Sequence, residues 1–344
     1  MVQSHPMEKR RSIKDIAKHL GVSKTTVSFV LNGKQGVSEA VKKRILDYVE
    51  KVGYRPNHMA QGLRTGKSKT IGMMIEDIAD PFFSSIARLV EENAYKKGYR
   101  IIYGSTENST EKTRDLINMF RRYQVDGYII APAPGIEADI QTLIAEGLPV
   151  VIFDRMLSGI DTSFVEVDNF AGAYKAVDHL MINGFKRIAL ITLESEQNQM
   201  LDRLEGYLQA INDHGLKQYV KKIKYHEDNE KSISQIIAFL QPEKIDAIFF
   251  TTNYIAFTGL EALKRLNLQI SKDIGIVVFD DYNSFALFGP SITAVAQPIK
   301  EIADNLTRIM LKQLSNGFLI NPEKVELKTT LMVRGSSMPI KIKI

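Results

Sequence analysis

Two hydrophobic spacings divide this chain, and they change places near residue 70. Before that point, apolar residues recur at three- and four-residue intervals. Ile13, Ile16, Ala17 and Leu20 mark one face of a short helix, followed by Gly21. Ser23 is placed to cap a second helix through Thr26, Val27, Val30 and Leu31, and Asn32-Gly33 stops it. Ser38 caps a third, with Val41, Ile45, Leu46 and Val49 on one face and Gly53 beyond. Three short helices with a glycine turn between the first two predict a helix-turn-helix unit; the alternative is a three-helix packing module with no nucleic-acid role. Pro56-Asn57 opens a further segment, 58–64, that ends in Thr65-Gly66-Lys67-Ser68. So short a helix is marginal alone, so the segment reads as a linker between modules.

From Thr70 the spacing changes. Continuous apolar runs at 71–75, 100–103, 128–131, 150–153, 187–192, 247–251 and 275–279 read as strands. Helical stretches such as 82–97 and 113–123 separate most of them. Strands apolar on both faces are buried on both faces, and alternating strand and helix predicts parallel, doubly wound sheets. Some 270 residues are too many for one sheet, so two similar subdomains are expected. The fold class is therefore α/β, with an all-α helix-turn-helix head at the N-terminus.

Charge sharpens the division. Residues 1–70 carry fifteen Lys and Arg against five Asp and Glu, a net of +10, whereas the rest of the chain has a net of −5. A small basic module on a larger acidic one points to a polyanionic partner for the first; a solubilising tail is the plainer reading. Cysteine is absent, which excludes disulfides and thiolate metal sites and fits a reducing cytoplasm. No apolar run is long enough to span a bilayer, and residues 1–11 have no apolar segment behind them, so no secretory signal is expected.

Particular residues narrow this further. The runs Ser12-Ile-Lys-Asp-Ile-Ala17, Gly21-Val-Ser-Lys-Thr-Thr-Val-Ser28, Val30-Leu-Asn-Gly33, Val37-Ser38, Gly53-Tyr-Arg-Pro-Asn57 and Leu63-Arg-Thr-Gly66 stand in the head and linker. In the body come Asp80-Pro-Phe-Phe83, Val125-Asp-Gly127, Phe153-Asp-Arg155, Val167-Asp-Asn169, Arg203 with Gly206-Tyr207, Phe279-Asp-Asp281, Gln297-Pro298 and Val333-Arg334 before Ser336-Ser337. Each piece is weak. The ordered series, from Ser12 to about Ser337, resembles the lactose/galactose repressor (LacI/GalR) family.

The resemblance implies a DNA-binding domain over 1–55, a hinge helix and linker over 56–69, and an effector-binding body over 70–344 with the periplasmic sugar-binding fold. Its first subdomain is expected at about 70–167 and 298–326, its second at about 168–297 and 327–340. The second helix would enter the major groove of operator DNA, bound by a homodimer. Lys24, Thr25 and Phe29 would face bases, and the wider implied contact set is Ser12, Ser23, Thr26, Ser28, Asn32, Tyr54, Asn57, Ala60 and Leu63. Leu63 would be the wedge that a hinge helix drives into a central base step of the minor groove. Phe29 departs from the family, which usually places Arg there. It either meets a thymine methyl or packs on the head itself.

For the effector, the resemblance points to the carboxyl ends of the body strands. Asp154, Arg155, Asn253 and Asp280 sit there, with Arg203 as the main contact, Phe82 and Phe83 to cover an apolar sugar face, and Asp168 either as ligand contact or helix cap. Tyr254 departs from the Asp usual after Asn253. A sugar or sugar derivative is favoured, with a purine or phosphorylated compound as the alternative. No cofactor is expected. Gly62 to Ser68 is one residue short of a phosphate-binding loop and follows no strand. The six His residues lack metal spacing, and neither a nucleophile elbow nor a Cys–His pair is present, so an enzyme is not expected. The rival is a transport-type sugar-binding protein, which would have a signal sequence and no basic head.

Overall fold

A computed structural model describes residues 11–31, 33–54, 67–225, 227–316 and 321–338. They fall into two compact units, Met1–Ser68 and Lys69–Ile344.

The head is built from α1 (Ile13–Leu20), α2 (Lys24–Leu31) and α3 (Glu39–Lys51). Ser12 opens α1 with a reciprocal cap. Its Oγ accepts from the Asp15 N–H at 3.3 Å, and the Asp15 carboxylate accepts from the Ser12 N–H at 2.8 Å. Gly21 ends the helix in left-handed backbone (φ 64°), which a side chain would resist. Arg44 of α3 donates to the freed carbonyl of Leu20 at 3.3 Å. Ile16, Ala17, Val27, Val30 and Ile45 form the buried core, one apolar stripe from each helix.

In the body, β1 (Thr70–Ile75), α4 (Pro81–Lys96), β2 (Arg100–Ser105), α5 (Thr110–Arg122), β3 (Gly127–Ile130), α6 (Glu137–Ala145), β4 (Val150–Phe153) and β5 (Ser163–Val167) come first. Then follow α7 (Asn169–Ile182), β6 (Ile188–Leu193), α8 (Asn198–Asp213), β7 (Tyr219–Ile223), α9 (Asn229–Glu243), β8 (Ala247–Phe250), α10 (Asn253–Arg265), β9 (Gly275–Phe279) and β10 (Thr293–Ala296). Helix α11 (Ile299–Asn316) and strands β11 (Lys324–Leu327) and β12 (Thr330–Met332) complete it.

The strands make two six-stranded sheets, ordered β11-β5-β4-β3-β1-β2 and β12-β10-β9-β8-β6-β7. The first is parallel throughout; in the second only β12 runs antiparallel, against β10. Central strands are apolar on both faces because helices cover both. On the first sheet, Val90 and Ala94 of α4 with Leu306 and Ile309 of α11 fill one face, and Ile117 and Phe120 of α5 with Ile140 and Leu143 of α6 fill the other. The second sheet repeats the arrangement with α9 and α10 on one face and α7 and α8 on the other. Among the described residues the chain crosses between sheets three times, at 167–169, 296–299 and 327–330. No helix among them is long and apolar enough to cross a membrane.

One close approach depends on a glycine. A Cβ on Gly206 of α8 would stand 2.4 Å from the Phe170 carbonyl oxygen of α7, so only hydrogen lets these helices meet at this distance. The neighbouring Tyr207 hydroxyl donates to the Ile188 carbonyl at 2.9 Å and accepts from the Tyr219 N–H at 2.9 Å, tying α8 to β6 and β7.

Candidate functional site

The carboxyl ends of both sheets border a common cavity of about 350 Å³. Residues that leave the strands line it: Glu76 after β1, Asp154 and Arg155 after β4, Glu194 after β6, Thr252 and Asn253 after β8, Asp280 after β9 and Gln297 after β10. This crevice outside the strand ends is where open parallel sheets hold ligands, because loops and helix N-termini converge there.

Arg203 of α8 is the centre of the polar wall and is 2% exposed. Its Nε donates to Asn169 Oδ1 at 2.9 Å and its Nη1 to the Thr251 carbonyl at 2.7 Å. Asp280 Oδ2 lies 3.6 Å from the same Nη1, and the guanidinium rests 3.6 Å above the Phe279 ring. Gln297 Nε2 donates to the other Asp280 oxygen at 2.6 Å. Arg155 is also paired, although its buried Nε makes no hydrogen bond. It pairs with Glu76, donates to Asn108 Oδ1 at 2.7 Å and has Asp154 Oδ2 at 3.3 Å from Nε. Burial lowers the Arg155 pKa to about 10.

Carboxylates outnumber these cations. Glu76, Asp77, Asp80, Asp154, Glu194 and Asp280 line the cavity against two guanidiniums. Burial pushes Asp154 up to about 7; Arg203 opposes the shift, and Asp280 and Asp80 add to it. Burial likewise lifts Asp80 to about 6, against the pull of the Phe82 N–H that it caps at 2.8 Å. Aromatic rings supply an apolar part of the wall. Phe82 and Phe83 meet edge to face with centroids 5.0 Å apart, and Phe83 meets Phe153 at 6.2 Å.

Of the effector residues expected from sequence, Phe82, Phe83, Asp154, Arg155, Arg203, Asn253 and Asp280 line this cavity. Asp168 does not: its carboxylate accepts from the Ala171 N–H at 2.8 Å and caps α7, so the cap reading replaces the ligand one. Glu76, Asp80, Asn108, Tyr225 and Gln297 were missed. Glu76 directly follows an apolar strand, and Asp80 and Gln297 each precede a proline in a quoted motif, so position carried a signal for those three.

In the head, Lys24 and Thr25 are exposed at the start of α2, whose first turn is held by the Thr26 N–H donating to Ser23 Oγ at 3.0 Å. Ser12 is exposed and engaged with Asp15. Phe29 is half-buried with Lys34 Nζ 5.5 Å from its ring centre. Ser28 is buried, 6% exposed, because its turn of α2 faces the core between Val27 and Val30; it is not presented outward as a contact. Tyr54 packs against that core, and burial raises its hydroxyl pKa. Asn32, Asn57, Ala60 and Leu63 lie outside the described residues.

Residues 12–57 match the model of bacterial regulatory proteins of the lacI family, and 177–337 match a periplasmic binding protein-like domain. The HTH-type transcriptional regulator RegA of Clostridium saccharobutylicum is 33% identical over 335 residues, 95% of this chain and 99% of the relative. The chain belongs to the LacI family. The ribose operon repressor of Halalkalibacterium halodurans is 31% identical over 94% of this chain and 96% of its own length. A crystal structure of a LacI family regulator from Enterococcus faecium with bound ribose is 26% identical, with a TM-score of 0.70 over 79% of this chain and all of that one. As a LacI-family regulator the chain acts by binding DNA, not by catalysing a reaction, and its body is the family's effector domain.

Proposed function

We propose that this LacI-family chain represses transcription as an operator-bound homodimer whose hold on DNA is set by a neutral sugar, or sugar derivative, in the body cavity. The division is a head over 1–55, a hinge and linker over 56–69 and a body over 70–344. The observation that carries the reading is Arg203, buried at the strand ends with Asp280 and Asn169 around it, in a cavity that Phe82 and Phe83 also line. Directional donors and acceptors beside an apolar ring suit a polyhydroxyl compound, whose edges need hydrogen bonds and whose faces do not.

The charge of the cavity argues against a phosphorylated effector. Both guanidiniums already have acidic partners, Glu76 and Asp154 beside Arg155 and Asp280 beside Arg203, and three further acidic residues, Asp77, Asp80 and Glu194, line the same space. A phosphate entering here meets repulsion, and among the described lining residues the only cations are these two paired guanidiniums. Two of the relatives support a sugar: one is named a ribose operon repressor and a solved structure of another holds ribose.

On the DNA side, the eight residues of α2 reach only a few base pairs, so a second head on the other half of a near-palindrome supplies the remaining specificity. Lys24 donates to guanine, Thr25 serves as donor or methyl contact, and Phe29 lies against a thymine methyl. Leu63 is the minor-groove wedge. A sugar changes DNA affinity only by binding two body conformations unequally, here a rotation of one sheet against the other across the three crossings. The protein works where the operator is, in the cytoplasm.

The test is a thermal-shift screen of neutral sugars, sugar phosphates and nucleobases, with operator binding measured with and without each hit. A neutral sugar that stabilises the body and changes operator affinity is expected. A hit confined to phosphates or nucleobases, or one that leaves operator affinity unchanged, overturns the proposal.

A further inference from the structure

The cavity wall is not uniform. Around Arg203 and Asp280 it is polar and buried. Elsewhere the second sheet's loops and helices add four aromatic residues to the lining. Tyr225 follows β7, Tyr254 and Phe257 stand one turn apart at the start of α10, and Tyr282 follows β9. Tyr254 remains 41% exposed and Phe257 40%, although both border the cavity.

Their exposure is built rather than incidental. Tyr225 supports Tyr254 edge-on, with centroids 5.7 Å apart, and the buried Phe285 supports Phe257 in a stack at 5.3 Å. Tyr282 closes the row against Phe257 at 5.8 Å. Rings propped from behind hold fixed orientations at little entropic cost, and side-by-side aromatic faces left open at a cleft are characteristic of a contact surface. Three of the four are tyrosines, which border an apolar face with hydroxyl groups. That combination matches a sugar ring, apolar on its face and polar at its rim.

We infer that the cleft takes a two-ring glycoside, one sugar ring held by the Arg203–Asp280 wall and a second lying on the aromatic lip formed by Tyr254 and Phe257. This rests on the cavity being the effector site. Tyr254 is then a specificity-determining residue for ligand length.

The test measures binding of glucose, galactose and xylose beside cellobiose, lactose, maltose and xylobiose, and of the matching p-nitrophenyl glycosides, by calorimetry on the full chain. At least one disaccharide is expected to bind about three- to tenfold more tightly than its single-ring counterpart, the range of one aromatic contact. Tyr254→Ala should remove that advantage and leave the monosaccharide unchanged, with Phe257→Leu acting in the same direction. Unliganded melting temperatures of both variants establish that the body still folds. Equal affinities for one and two rings overturn the inference, as does a Tyr254→Ala variant that weakens both alike or a gain confined to the nitrophenyl compounds. If no sugar of either length binds, the effector assignment itself fails, which is a distinct result.

Discussion

Asp154 and Asp280 are counterparts in different sheets. Each directly follows a strand ending in phenylalanine, each has left-handed backbone (φ 68° and 78°), and each N–H donates to the next strand, to Val165 at 3.1 Å and Val295 at 3.0 Å. Both line the same cavity. A β-strand continued normally would carry these carboxylates past the sheet edge. The left-handed turn, tolerated best by Asp and Asn among side-chain-bearing residues, leaves them at the crevice. Asp280 there sits beside Arg203, while Asp154 is the more deeply buried and holds its proton to about 7.

That raised value makes stability depend on pH. A carboxylate with a higher pKa folded than unfolded binds more protons in the native state, so its effect is to lower stability as pH rises through the window between the two values, about 4 to 7. The Asp154→Asn variant keeps the left-handed backbone and removes the titration. Its melting temperature should fall less than that of the parent between pH 5 and pH 7.5. Parallel curves for the two proteins would show that Asp154 is already ionised at pH 5.

Arg203 is the partner that the cavity carboxylates share. Replacing it with Met leaves Asp280 buried without its cation, a loss on the order of 3–5 kcal/mol, together with loss of sugar binding. Adding Asp280→Asn should recover part of the stability and none of the binding. Chemical denaturation of the parent, both single variants and the double variant measures the coupling.

Gly206→Ala tests the packing of α7 on α8. The added methyl meets a backbone oxygen that cannot rotate away, so a loss of about 1–3 kcal/mol is expected, read as a lower melting temperature for the body. The head's DNA affinity, measured on operator without sugar, serves as the readout of whether the defect stays in the body.

Phe29→Arg should move the preferred base pair at one position of each half-site from T·A towards G·C, with about 1–3 kcal/mol of discrimination, because Arg reaches O6 and N7 of guanine and Phe does not. Selection from random DNA with parent and variant reads this directly. Identical selected sites would place Phe29 in the packing of the head, beside Lys34.

Local pattern in the sequence was enough for the three head helices, the change of architecture near residue 70 and the central strands. Strands β1, β3, β4, β6, β8 and β9 are buried on both faces, and burial of that kind leaves a continuous apolar run that can be read without neighbours. Strands β5, β7, β10, β11 and β12 were not legible. The edge strands β7, β11 and β12 and the penultimate β5 carry polar residues such as Lys221, Lys222, Glu326, Thr330 and Glu166, and β10 is four small residues, so their strand state comes from pairing with distant segments. The same limit applied to the site. Residue type and position at strand ends marked Asp154, Asn253 and Asp280 and offered Asp168 as either cap or ligand contact, but did not show that Asn108 and Tyr225 would join the wall. Those outcomes depend on where the three crossings bring one sheet's ends against the other's, and a contact between residues a hundred positions apart leaves no periodicity in the chain that makes it.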